Sequence, residues 1–127
     1  MRKLKGVWLN VATEEAKVIE INDDLDEFYR TLHCDTIDIV RRRIGRKHFN
    51  IICDDEGLLK YNPKISAVDE TGKIMLVGNL FIVSGEDNEG ELLSLTNEEI
   101  EYIMKRVHRV YTNNYPNGYP MLTECGY

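Results

Sequence analysis

Residues 74–83 read IMLVGNLFIV and constrain the fold more than any other stretch of the chain. Read as one strand, Leu76, Leu80 and Ile82 fall on one face, and Met75, Val77, Phe81 and Val83 on the other. A strand apolar on both faces belongs in the middle of a sheet that is covered on both sides. Asn79 is the one amide in this run. Buried, it must satisfy its hydrogen bonds, either by tying down a loop or by facing a pocket. Gly78 beside it permits close approach of another backbone or of a ligand.

The remaining periodicities supply partners for that strand. Residues 4–10 and 15–21 read as two short strands around a polar connection, with Val18, Ile19 and Ile21 giving β-branched character to the second. Leu25, Phe28, Tyr29 and Leu32 then follow helical spacing. Asn22 or Asp23 is expected to cap that helix, which should end near His33. Two further strands are expected at about 36–43 and 47–53. Ile37 and Ile39 share a face in the first, and Phe49, Ile51 and Cys53 share one in the second. Ile44-Gly45-Arg46 is short enough for a hairpin turn, with Gly45 able to take positive φ. Residues 58–73 contain Asn62-Pro63 and Glu70-Thr71-Gly72 and are expected to be mostly loop, and 85–91 an acidic loop. Thr96-x-x-Glu99 forms a capping box ahead of Ile100, Ile103, Met104 and Val107, which predicts a helix to about Tyr111.

The expected architecture is a small single α+β domain, a mainly antiparallel sheet of about five strands with two helices, over residues 1–111. Residues 112–127 hold two prolines, two glycines and three tyrosines and are expected to form an extended C-terminal arm. Packing on its own domain and crossing to a second subunit are both open to it.

With 127 residues the chain is the size of one domain and long enough to bury a core without staples. Its net charge is −6, which argues against general nucleic-acid or anionic-membrane binding unless positive charge is locally concentrated. Three cysteines, Cys34, Cys53 and Cys125, without a CxxC pair make neither a disulfide framework nor a zinc pattern. No apolar run approaches a membrane span, and the start of the chain does not read as a secretion signal. These features predict a reduced, cytoplasmic protein.

Positive charge is concentrated in one place. Arg41, Arg42, Arg43, Arg46, Lys47 and His48 put five of the sixteen Lys and Arg residues, with a histidine, into eight positions. Arginine's planar fork grips phosphate oxygens in pairs, and lysine adds a point charge. The cluster is either an anion site or a solvated hairpin tip pairing with nearby carboxylates. Tyr61 and Asn62 precede the apolar strand and offer a stacking ring and an amide. Asp54, Asp55 and Glu56 lack the calcium-loop pattern and read as a turn, so no metal is expected. Cys53 lies on the inward face of its strand and His48 on the other, so the pair is not a nucleophile and base. Glycine-rich phosphate loops and a nucleophile elbow are absent. No catalytic residue, cofactor or enzymatic activity is expected.

IICDDEG, NPKIS, the DETGKI turn, LVGNLFIV and the SLTNEEIE helix start, taken in order, resemble the domain-of-unknown-function family 3846 over residues 18–107. The resemblance implies a small α+β domain of the kind found in bacteriophages and mobile elements of Firmicutes, acting in the host bacterial cytoplasm. It carries no catalytic residues. Together with the basic cluster, it leads to the expectation of a non-enzymatic phage accessory protein that sequesters a small anionic nucleotide, a sponge for a host immune signal. Arg41, Arg43, Arg46, Lys47 and His48 would hold phosphate, Tyr61 would stack, and Asn62 or Asn79 would read a base or ribose. Enclosing such a ligand calls for a homo-oligomer. The alternative is an acidic protein-interaction module that inhibits a host protein, by mimicry of nucleic-acid charge.

Overall fold

The structure, a computed structural model, describes residues 2–55, 64–113 and 115–127. In chain order it contains β1 (Lys3–Asn10), β2 (Glu15–Asn22), α1 (Leu25–Leu32), β3 (Ile37–Ile44), β4 (Lys47–Asp54), β5 (Ile65–Val68), β6 (Ile74–Val77), β7 (Leu80–Val83), α2 (Asn97–Met104), β8 (Val107–Thr112), β9 (Tyr115–Leu122) and β10 (Cys125–Gly126). Six strands form an antiparallel sheet in the order β10-β3-β4-β7-β1-β2. Four more form a second sheet, β6-β5-β9-β8, in which β5 and β9 run parallel. The α+β class holds, with ten strands in two sheets among the described residues where about five were expected.

Strand β7 lies where its sequence demands. Its four residues are all buried, and it pairs with β4 on one flank and β1 on the other. Leu80 and Ile82 join Val7, Leu9, Phe49 and Ile51 in a core shared with the second sheet and α2 through Ala67, Leu122 and Ile103. Phe81 and Val83 face the opposite core with Leu4, Ile52, and Phe28 and Leu32 of α1. Full burial of a side chain of this size stabilises by about 1.5–3 kcal/mol, so the alternation along β7 builds both cores at once.

Several boundaries depart from expectation for physical reasons. Residues 74–83 are two strands, because Gly78 adopts φ 79° and donates its N–H to Lys64 O at 2.8 Å, turning the chain from the second sheet into the first. The α1 cap is Asp24, whose Oδ1 accepts the Glu27 N–H at 2.8 Å, while Asn22 still belongs to β2. Helix α2 has the expected capping box but stops at Met104. Val107, expected on the helical stripe, instead pairs with Leu122 in β8, where a run rich in β-branched and aromatic residues finds a strand partner. Residues 65–68, expected as loop, form β5.

The region expected as a C-terminal arm supplies β9 and β10 and so contributes to both sheets of this same chain, while its expected start at 112 falls inside β8. Strand β9 sits between β5 and β8, and β10 pairs with β3. Tyr119 and Met121 are buried, and Tyr115 meets Tyr119 edge-on with centroids 5.2 Å apart. Among the described residues no helix is long and apolar enough to cross a membrane.

Candidate functional site

Strands β3 and β4 meet in a two-residue turn, with Ile44 opposite Lys47 and Gly45-Arg46 between them. Gly45 has φ 63°, and a Cβ there would overlap Arg106 Nε and sit 2.5 Å from Tyr102 Oη. The turn is therefore glycine both for its backbone and for the close approach of α2. Tyr102 Oη accepts the Arg46 backbone N–H at 2.6 Å, which anchors the turn to the end of that helix.

Strand alternation divides the basic cluster. Arg43 pairs with His48 and Arg41 with Asn50, so these four share one face; Arg42 and Lys47 share the other with Ile44 and Phe49. Arg41, Arg46, Lys47 and His48 are exposed. Lys47 Nζ stands 4.8 Å from the Tyr102 ring centroid, and the Arg106 guanidinium 3.8 Å from the same ring. Two cations thus share one phenol ring.

Some of the charge is already engaged. Arg43 donates through Nη2 to Glu70 and through Nη1 to Gly45 O at 2.6 Å. Arg106 lies 3.4 Å from Glu124 Oε2. Arg42 stacks on Tyr127 at 4.8 Å and reaches Arg41 O at 3.0 Å, and His48 Nε2 meets Tyr127 O at 3.2 Å. Yet Arg42 Nε on one face and the Asn50 Nδ2 amide on the other are buried without a hydrogen-bond partner among the described residues. Both atoms are donors. A buried donor without an acceptor costs about 1–3 kcal/mol, so this end of the sheet has an unmet demand for acceptor oxygens.

Asn50 was not among the residues singled out from sequence. It is 3% exposed and sits among apolar neighbours on β4. The signal was available: a buried amide in a strand otherwise built of Phe49, Ile51, Ile52 and Cys53 raises the same question as Asn79. Asn79 itself is not part of this site. Its Oδ1 accepts the Val11 N–H at 2.9 Å and its Nδ2 donates to Leu32 O at 3.2 Å, so it ties the β1–β2 turn to the end of α1. The neighbouring Leu80 pairs with Cys53, six residues along β4 from Lys47. That is about 20 Å at strand rise. Tyr61, Asn62 and Glu56 lie outside the described residues.

The thiols are buried. Burial first, then the Asp38 carboxylate, pushes Cys53 up to about 11, and burial likewise pushes Cys125 up to about 11. Cys53 Sγ contacts Asp38 O at 3.7 Å, and its face is opposite to that of His48. Ser84 Oγ donates to Glu99 Oε2 at 2.9 Å. No group of three or more His, Cys, Asp or Glu is placed to hold a metal among the described residues.

The family described as Domain of unknown function (DUF3846) matches residues 5–108. The chain belongs to that family. The match takes in the whole β3–β4 hairpin, β7 and α2, and so covers the candidate site apart from Glu124 and Tyr127. A search of the curated proteins and of the solved structures found no match to the chain.

Proposed function

We propose that this DUF3846 protein is a non-enzymatic binding protein that sequesters a small phosphate-bearing ligand, of the nucleotide class, at the end of the β3–β4 hairpin. The observation that carries this reading is the buried donor Asn50 Nδ2, without a partner among the described residues, on the hairpin face that it shares with the exposed Arg41 and His48, next to the turn that carries Arg46 and Lys47. Phosphate oxygens would satisfy such donors, and arginine and lysine bind them with charge-assisted hydrogen bonds. Tyr102 and Tyr127 provide the aromatic surface near these cations; Tyr127 is 76% exposed and the more accessible ring for a base.

On this reading the protein removes a nucleotide signal by holding it rather than by converting it. In a phage or mobile element, the setting implied by the family resemblance, the biological role is counter-defence in the host cytoplasm. Full enclosure of the ligand would require a second subunit. The alternative, an acidic module that occupies a host protein, draws on a different observation: Tyr111 and Tyr127 are large, highly exposed aromatics, the residue type that anchors interfaces.

Native mass spectrometry of protein purified from bacteria and mixed with a panel of mono- and cyclic nucleotides tests the proposal. A nucleotide adduct that disappears in an Arg41→Ser, Arg46→Ser, Lys47→Ser variant supports it. Failure of every nucleotide to bind tighter than millimolar removes it. Conversion of a nucleotide to product would establish an enzyme instead.

A further inference from the structure

Strand β3 runs along the rim of the six-stranded sheet, and β10 covers only its last two positions, Cys125 opposite Ile44 and Gly126 opposite Arg43. Residues 37–42 have β4 on one side and no described strand on the other. The phase of the ladder shows which backbone groups face outward. Asn50, opposite Arg41, turns its N–H away from β3 toward Ser84 O at 3.4 Å. Alternation then directs the N–H and C=O of Arg41, Ile39 and Ile37 to the rim. Ile39 is 43% exposed there.

We propose that this rim pairs with β3 of a second copy of the chain, antiparallel about a two-fold axis at Ile39, joining the two six-stranded sheets into one. An open strand edge is a template for such pairing. The register follows from charge and from Tyr127. A two-fold axis normal to the sheet keeps each residue on its own face, so opposed residues must come from the same face. An axis at Asp38 or at Arg41 would oppose like charges. An axis at Val40 would bring Asp38 of the second copy to Arg42, where Tyr127 already stacks. An axis at Ile39 sets Ile39 against Ile39 and Ile37 against Arg41, covering exposed apolar surface. It also places Asp38 diagonal to Arg42 of the second copy, whose Nε is buried without a partner among the described residues. Asp38 is also diagonal to Asp38 of the second copy, so the pairing rests on the backbone ladder and the apolar contact at Ile39 rather than on charge.

This inference deepens the oligomeric part of the reading above but does not depend on the ligand. A dimer with no nucleotide affinity upholds the pairing and removes the sponge; a monomer that binds nucleotide does the reverse.

Sedimentation velocity on the full chain over the micromolar range, with amide hydrogen exchange read at Ile39 and Arg41, tests it. The wild-type protein should sediment at twice the 14.8 kDa chain mass, with concentration-dependent protection of both amides. Ile39→Lys, which sets like charges opposite each other at a partly exposed position, should sediment as a single chain with both amides unprotected. Ile39→Pro removes an outward N–H that the β3–β4 ladder does not use, at an edge position where proline is tolerated, and should do the same, which covers the case of an Ile39→Lys variant that fails to fold. A wild-type protein that stays a single chain throughout overturns the inference, as does a dimer that survives in the folded variants.

Discussion

Arg43 donates from a single nitrogen, Nη2, to both carboxylate oxygens of Glu70, at 2.9 and 3.2 Å. The contact links the basic hairpin of the first sheet to the turn between β5 and β6 of the second. It also means that one of the arginines best placed to hold an anion is already occupied by a carboxylate of its own chain.

Glu70→Gln should therefore release Arg43 for a ligand. Both side chains are substantially exposed, and exposed ion pairs contribute about 0–1 kcal/mol, so the urea midpoint should barely move. Phosphate or nucleotide affinity should rise several-fold. Calorimetric titration of the variant beside wild type checks this, and an unchanged or weaker affinity would count against Arg43 as a ligand group.

Asn79→Ala should have the opposite profile. It leaves Val11 N–H and Leu32 C=O without their buried partner, at a cost of about 2–3 kcal/mol. Ligand binding at the hairpin should be unaffected once the protein is folded, because the Asn79 amide is spent on Val11 and Leu32. Urea unfolding with a loss under half a kcal/mol would show that these hydrogen bonds do not hold the β1–β2 turn to α1.

Thiol chemistry gives a pH-dependent signature. Cys53 and Cys125 are raised to about 11 by burial, so both remain neutral thiols at physiological pH. Their contribution to stability is complete below the unfolded thiol value and is lost as pH rises through the folded one. A thiol-exchange reagent at pH 8 should label neither residue in native protein and both in urea. Rapid native labelling of Cys53 would mark it as accessible and reopen a nucleophilic role.

Acid should weaken the two loop caps together. Hydrogen bonds from Thr71 and Lys73 lower Asp69, and those from the Glu91 and Glu89 backbone lower Asp87, each below the usual carboxylate value. A depressed folded pKa stabilises above the unfolded value and loses that contribution as pH falls through the folded one. Stability should decline below about pH 4, the range of unperturbed aspartate. Asp69→Asn with Asp87→Asn should flatten that decline; an acid limb identical to wild type would assign it to other groups.

The β7 pattern, the capping box at Thr96 and the glycine turn at Gly45 were legible in the sequence because each is a local rule acting on neighbouring residues. What escaped depended on partners far along the chain. Val107 continues a helical stripe in sequence, and only its pairing with Leu122 makes it a strand. Residues 65–68 look like loop until β6 and β9 supply both neighbours. At the site, the cluster itself was plain in the sequence. Its division between two faces, the occupation of Arg43 by Glu70 and the unpartnered amide of Asn50 required the register of β3 on β4.

The most direct test of the central claim is a titration of isotope-labelled protein with ADP, followed through the backbone and side-chain resonances of Arg41, Arg42, Arg46, Lys47, His48 and Asn50. The account predicts saturating shifts confined to these residues and their contacts, with a Kd below millimolar and a new hydrogen-bonded signal for the Asn50 amide. Shifts scattered over the surface, or none at any of these positions, would contradict it.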